Sequence, residues 1–189
     1  MNGMNLWAWL NGIWIVSEIL IAFATRTRRE SGKVQDRGSQ LLLWIVIVSS
    51  ITGCEWIRHA APANLFAGED WPITVSLIVF VLGLAIRWAA IATLGKSFSA
   101  NVAIRESQKV QKSGLYRYVR HPSYLGMLLI FLAFGLHAGN WASLAAAILP
   151  TTLVLLYRIR IEEAALNEAF GEEYRAYSRV TKRLIPGVF

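Results

Sequence analysis

The chain has 189 residues, of which 55% are hydrophobic and only 16% are Asp, Glu, Lys or Arg, and it carries eight tryptophans. Ordinary soluble domains are about a quarter charged, so this composition excludes one. The net charge of +7 would suit a nucleic-acid partner, but the basic residues are segregated among particular loops, and no nucleic-acid partner is expected.

The N-terminus lacks the basic n-region and small-residue cleavage site of a signal peptide, so the first apolar run, Leu6–Ala24, is expected to be retained. It contains one ionisable residue, Glu18, which is placed to pair with another helix. A second run covers Leu41–Ile57 and includes Cys54, whose apolar neighbours point to a buried, inert thiol. As the only cysteine, it excludes an internal disulfide framework. The third run, Ile73–Leu94, is long enough to span and contains Arg87, about two turns from its end, where snorkelling is the expected role. The fourth, Tyr124–His137, is short, and the fifth, Trp141–Tyr157, follows after only Ala138, Gly139 and Asn140. That spacing predicts a tight helical hairpin. Pro150 is expected to kink the fifth helix. The expected fold is all-α: an integral membrane bundle of about five transmembrane helices with a cytoplasmic C-terminal helical segment.

Charge placement orients this bundle. Segments 26–40, 95–121 and 158–189 hold five, six and six Lys/Arg, whereas the N-terminal tail, 58–72 and 138–140 together hold only Arg58. By the positive-inside rule this puts the N-terminus outside and the C-terminus in the cytoplasm. In a bacterium that membrane would be the cell inner membrane. Trp7, Trp9, Trp44, Trp56, Trp71 and Trp141 lie near span ends, as expected of an interfacial aromatic belt. The chain divides into an anchor half, 1–94, and a chemically denser half, 95–189.

The dense half opens with LGKSFSANVAIRESQKVQKSGLYRYVRHPSY. SANVAI reads as a short extended piece and KSGLY as a turn around Gly114. Pro122 suits a first helical position, which puts His121 close to the N-cap, beside the unpaired N–H groups of a helix start, a place that favours a carboxylate. As an alternative, the tyrosines and arginines of YRYVRHPSY serve only as headgroup anchors. Beyond the fifth span, Arg158 and Glu162 stand at i, i+4 on one helix face, Leu166 and Phe170 follow, and Gly171 is a plausible break before an amphipathic turn with Tyr174 and Tyr177. Both polar clusters emerge at the same end of the same hairpin. Glu162 can accept from an ammonium, His121 and the helix start can hold a carboxylate, and tyrosine rings can face a base or a sulfonium. Together they match S-adenosylmethionine, with Arg158 left for an anionic group of a methyl acceptor. Three scattered histidines and one cysteine show no metal-ligand spacing.

SGLYRYVRHPSYLG, a helical hairpin and RIRIEEAALNEAFGEEYRAYSRVTKRLIPGVF together resemble the isoprenylcysteine carboxyl methyltransferase family, part of a wider group of membrane methyltransferases that includes phospholipid N-methyltransferases. The resemblance covers roughly residues 94–189. It implies a S-adenosylmethionine pocket enclosed by the last two spans and the C-terminal segment, and a lipophilic or lipidated substrate arriving from the bilayer. Residue by residue, it implies that Tyr116, His121, Pro122, Ser123, Tyr124 and Glu162 line the donor pocket and that Arg158 faces an acceptor carboxylate. Arg158 and Glu162 are the residues on which catalysis is expected to rest. The family's His-x-Leu-Val-like stretch corresponds to Gln108, Lys109, Val110 and Gln111, where the missing histidine and leucine leave backbone contacts as the expected contribution. Gly114, Leu115 and Tyr116 stand where many members read Gly-Pro-Tyr. A carboxylate acceptor is already ionised at neutral pH and needs no general base; an amine would.

Three other readings stay open. One is a phospholipid or amine N-methyltransferase. Another is an NADPH-dependent membrane reductase, because multi-span sterol reductases also resemble this C-terminus; the short chain and the EEAAL after Arg158 favour the transferase. The last is a non-catalytic membrane scaffold. The acceptor and the oligomeric state are not readable from the sequence.

Overall fold

The structure, a computed structural model, describes residues 3–25, 33–34, 38–60, 71–99, 103–104 and 108–189. Among these residues six α-helices follow in order: α1 (Gly3–Thr25), α2 (Ser39–Ala60), α3 (Trp71–Leu94), α4 (Pro122–Ala138), α5 (Trp141–Phe170) and α6 (Glu172–Val180). Among the described residues, α1, α2, α3 and α5 are long and apolar enough to cross a membrane, and α4 is an apolar helix of 17 residues. At 1.5 Å per residue α4 reaches about 26 Å, close to the thickness of a hydrocarbon core. The chain is thus a multi-pass membrane helical bundle. Its β structure among the described residues is one two-residue antiparallel ladder, Lys33–Val34 (β1) with Ala103–Ile104 (β2), and an isolated parallel bridge between Val119 and Lys182. Of the extended piece expected over 99–104, residues 100–102 lie outside the described residues, as do most of the basic residues in 26–40.

The hairpin forms where local chemistry demands it. Pro122 occupies the first turn of α4 with His121 as its cap. Gly139 ends α4 at φ 74°, a left-handed conformation that glycine adopts without a Cβ penalty. The Asn140 side chain then accepts from the Ser143 N–H at 2.7 Å and starts α5. Pro150 lies inside α5 without ending it, and the helix runs unbroken to Phe170, so the fifth span and the helix expected after it are one element.

The most extensive helix pairing is α3 with α4. It depends on two glycines: a Cβ on Gly83 would stand 2.7 Å from Gly126 O, and a Cβ on Gly126 would stand 2.6 Å from Gly83 O. Trp14, Phe80, Phe131 and Phe134 form the aromatic centre of the core, meeting at 5.7–6.3 Å between rings. Trp7 joins them, stacking on His137 at 3.9 Å, and Trp44 also packs against the core. These two are therefore packing residues, not belt residues, because their helices turn them towards the bundle. Trp9, Trp56, Trp71 and Trp141 are exposed, as a belt requires. Cys54 is buried and free.

Arg87 does not snorkel. It is 5% exposed and forks onto Glu18 of α1, itself 5% exposed, through Nε to Oε1 and through Nη2 to Oε2 at 2.6 Å. A partner in the bundle removes the need to reach for water. Glu18 pairs with another helix, as expected.

Candidate active site

The start of α4, the exit of α5 and the C-terminal segment meet at one end of the bundle. After Gly171, α6 buries Tyr174 and Tyr177 and leaves Glu172, Glu173, Arg175 and Arg179 exposed. The chain then runs back beside the YRYVRHPSY stretch: Arg120 N–H donates to Lys182 O at 2.8 Å and His121 N–H to Arg183 O at 3.0 Å. Glu163 fastens this return. It accepts from Arg120 Nε at 2.9 Å and from Arg183 Nη2 at 2.9 Å, while Arg120 Nη1 reaches the carbonyls of Ser178 and Thr181. Arg120 is thus a clasp within the protein and not a headgroup anchor; Arg117 and Tyr118 are exposed.

These elements border a cleft of about 810 Å³, a volume that includes space open to solvent. Its lining includes Gln108, Lys109, Val110, Gln111, Tyr116, His121, Ser123, Tyr124 and Glu162. Pro122 is fully buried behind it as the first residue of α4. Gln111 ties the segment before Gly114 to α3 by donating to Thr93 O at 2.9 Å while its Oε1 accepts from Lys112 N–H and Ser113 N–H. The wall also contains residues that sequence reasoning did not assign: Phe98, Arg120, Leu166, Tyr174 and Tyr177 among them. The i, i+3 spacing of the last two tyrosines on an otherwise charged helix was the available signal.

A second cavity, about 490 Å³ including space open to the surroundings, lies farther from that end of the bundle. Ile21, Ala22, Leu43, Trp44, Ile47 and Met127 give it apolar walls, and Glu18, Arg87 and Arg158 supply its charges. Tyr124 borders both cavities. Its hydroxyl donates to Glu162 Oε2 at 2.9 Å and accepts from Arg158 Nε at 3.0 Å, and Arg158 Nη1 donates to Ser39 Oγ at 3.1 Å. The helical spacing expected for Arg158 and Glu162 is observed, but they open onto different cavities, with one phenol between them.

His121 is 4% exposed and stands between two carboxylates, with Nδ1 3.6 Å from Glu162 and Nε2 3.4 Å from Glu163. Burial pushes its imidazole down, but the two carboxylates outweigh burial and hold it above the ordinary histidine range. Burial raises the Tyr116 and Tyr174 phenols and pushes Tyr177 up to about 12, so all three remain donors at neutral pH. The Tyr177 hydroxyl donates to Tyr116 O at 2.6 Å. At the α4 start the expected row of unpaired N–H groups is shorter than the sequence suggests. Pro122 has none, His121 N–H goes to Arg183 O, and Tyr124 N–H goes to His121 O at 3.1 Å. An anion there would rely on Ser123 N–H and the His121 ring.

The profile of the isoprenylcysteine carboxyl methyltransferase (ICMT) family matches residues 76–168, beginning inside α3. The chain is 31% identical over 135 residues to a probable protein-S-isoprenylcysteine O-methyltransferase of Oryza sativa subsp. indica, covering 69% of this chain and 71% of that protein. It is 39% identical over 72 residues to methanethiol S-methyltransferase 1 of Bradyrhizobium diazoefficiens, covering 38% of this chain and 24% of that protein. Among solved structures, the eukaryotic intramembrane Ras methyltransferase ICMT superposes with a TM-score of 0.65 at 28% identity, covering 76% of this chain. The chain spans about half, 52%, of that larger protein.

Proposed function

The chain belongs to the isoprenylcysteine carboxyl methyltransferase family and is a membrane methyltransferase, and on that premise we propose that it moves a methyl group from S-adenosylmethionine to the carboxylate of a lipophilic acceptor. The observation that carries this reading is the Arg158–Tyr124–Glu162 chain of hydrogen bonds. It sets a guanidinium in a cavity with apolar walls and a carboxylate in a polar, aromatic one, with the Tyr124 phenol bonded to both.

The residues of the outer cleft fit the donor. Glu162 would receive its ammonium. The rings of Tyr116, Tyr124, Tyr177 and Phe98 would pack on its flat and cationic parts, and the backbone of Gln108–Gln111 would supply polar contacts. The Tyr174 hydroxyl is buried without a hydrogen-bond partner among the described residues, as expected of a wall built for a polar ligand. S-adenosylmethionine supplies a methyl group on a sulfonium sulfur, an electrophile that needs no further activation. Arg158 would hold the acceptor carboxylate, through two N–H groups if both are presented. Catalysis then comes from placement: Arg158 and Tyr124 orient the acceptor, and the buried wall excludes competing water. His121 keeps Glu162 ionised.

Residues 95–189 carry most of this chemistry, and α1 to α3 supply the anchor and the inner walls. The segregation of Lys and Arg among the loops supports an N-terminus outside and a C-terminus in the cytoplasm, an orientation in which the cleft would open towards the compartment where a nucleotide-containing donor is made. A thiol acceptor is the second reading, favoured by the 39% identity over 72 residues with the Bradyrhizobium methanethiol S-methyltransferase. Incubating the purified protein with a membrane lipid extract and methyl-labelled S-adenosylmethionine tests both. Label released as methanol by mild alkali supports a carboxyl ester. Alkali-stable label identifies a thioether or an amine and overturns the carboxylate reading.

A further inference from the structure

Arg87 uses its guanidinium in two directions. Nε and Nη2 face Glu18, while Nη1 donates to Ser123 Oγ at 2.9 Å and to Ser123 O at 3.3 Å. Glu18 and Arg87 line the inner cavity, and Ser123 lines the outer one. The pair lies about 10 Å below the ends of α1 and α3, being seven residues before Thr25 and Leu94. Ionisable groups at that depth are costly, and replacing a buried pair by apolar side chains is often neutral or stabilising. Holding two helices together does not by itself demand it.

The packing around the pair is arranged for the reach to Ser123. Gly126 lies one turn after Ser123 on α4, and a Cβ there would come 2.7 Å from Arg87 N and 2.8 Å from Arg87 Cβ. Gly83, one turn before Arg87 on α3, meets Gly126 in the same way. Two glycines therefore bring the Arg87 backbone against α4 directly below Ser123. Arginine is required because a planar fork can serve a carboxylate and a second acceptor together, and an ammonium cannot do so with the same geometry.

We propose that Arg87, braced by Glu18, is a positioning residue for the methyl donor: it fixes Ser123 and the first turn of α4, which form the floor of the donor cleft. This rests on the donor assignment made above. Neither Glu18 nor Arg87 lines the donor cleft, and Ser123 is the lining residue of that cleft to which Arg87 donates hydrogen bonds.

The test is calorimetric titration of S-adenosylhomocysteine into the full-length protein in detergent, with melting temperature recorded for every variant. Arg87→Lys keeps the charge opposite Glu18 and is expected to weaken binding about tenfold, Ser123→Ala about threefold, and Glu18→Gln about threefold. Adding Ser123→Ala to Arg87→Lys is expected to cost nothing further, because both remove the same contact. Additive losses, or wild-type affinity in folded Arg87→Lys, would overturn the assignment. Should Arg87→Lys not fold, Glu18→Gln decides alone: it leaves the donor cleft's own lining untouched, so unchanged affinity overturns the proposal and weakened affinity at a wild-type melting temperature supports it. Wild-type protein that does not bind S-adenosylhomocysteine would overturn the donor reading as well; binding that is intact and indifferent to these variants would overturn Arg87 alone.

Discussion

The phenol oxygen of Tyr124 accepts from Arg158 Nε at 3.0 Å, and Tyr124 lines both cavities. The same hydroxyl donates to Glu162, so removing it strips a partner from each of two charged groups. Tyr124→Phe should leave the protein folded and lower kcat/KM about tenfold. Steady-state kinetics with the identified acceptor checks this, and a change confined to melting temperature would count against it.

Arg158→Ala should lower turnover at least about 100-fold while leaving S-adenosylhomocysteine affinity within about twofold, because Arg158 lines the inner cavity and not the outer one. Calorimetry beside the activity assay separates the two effects. Full activity in the variant would remove Arg158 from the mechanism.

Glu162→Ala should do the reverse and weaken S-adenosylhomocysteine about 30-fold, the loss expected for a charged hydrogen bond in a partly enclosed site. Unchanged affinity in a folded variant would show that the cleft binds its ligand by other means.

His121 gives a pH prediction with a definite sign. Its imidazole is held above the ordinary value near 6.5 by Glu162 and Glu163 against the opposing effect of burial. A folded-state value raised above the unfolded one contributes stability that is fully present below the unfolded value and is lost as pH rises through the folded one. Wild type should therefore lose melting temperature relative to His121→Gln on going from neutral to alkaline pH. Parallel curves for the two proteins would mean that the imidazole is not charged in the fold.

Tyr174 is 2% exposed, and its hydroxyl lacks a hydrogen-bond partner among the described residues. Tyr174→Phe removes a group whose burial is uncompensated in the ligand-free protein. It should stabilise that form by up to about 1 kcal/mol, read as a higher melting temperature. A lower one would mean that a bound water or an unseen partner satisfies the hydroxyl.

What was legible in the sequence is local. Pro122 after a histidine, Gly139-Asn140 between two apolar runs and the four-residue step from Arg158 to Glu162 each act within one or two turns, and each forms as expected. That the two polar clusters meet at one end followed from reading the hairpin as tight, whereas the set Tyr116, His121, Ser123, Tyr124 and Glu162, which lines one cleft, was implied by the family resemblance. Contacts between distant segments left no such trace. Glu18 and Arg87 are 69 residues apart, and an isolated arginine near a span end reads as a snorkel until its partner is known. Glu163 sits beside Glu162 in sequence but turns towards Arg120 and Arg183, a role set by where the C-terminal return happens to pass. Trp7 looks like a belt residue by position, and only the crossing of α1 over α3 and α4 turns it onto Phe80 and His137.

The unbroken course of α5 through residue 170 has a mechanical consequence. Arg158 and Glu162 are separated by a helical rise of about 6 Å, and no loop lies between them. The helix is a ruler. It holds the cation of the inner chamber and the anion of the outer one at a constant interval, whatever the C-terminal return or the loop before α4 is doing. The α1 and α2 side chains that wall the inner chamber can therefore be exchanged to admit a different guest without resetting the length of the stroke.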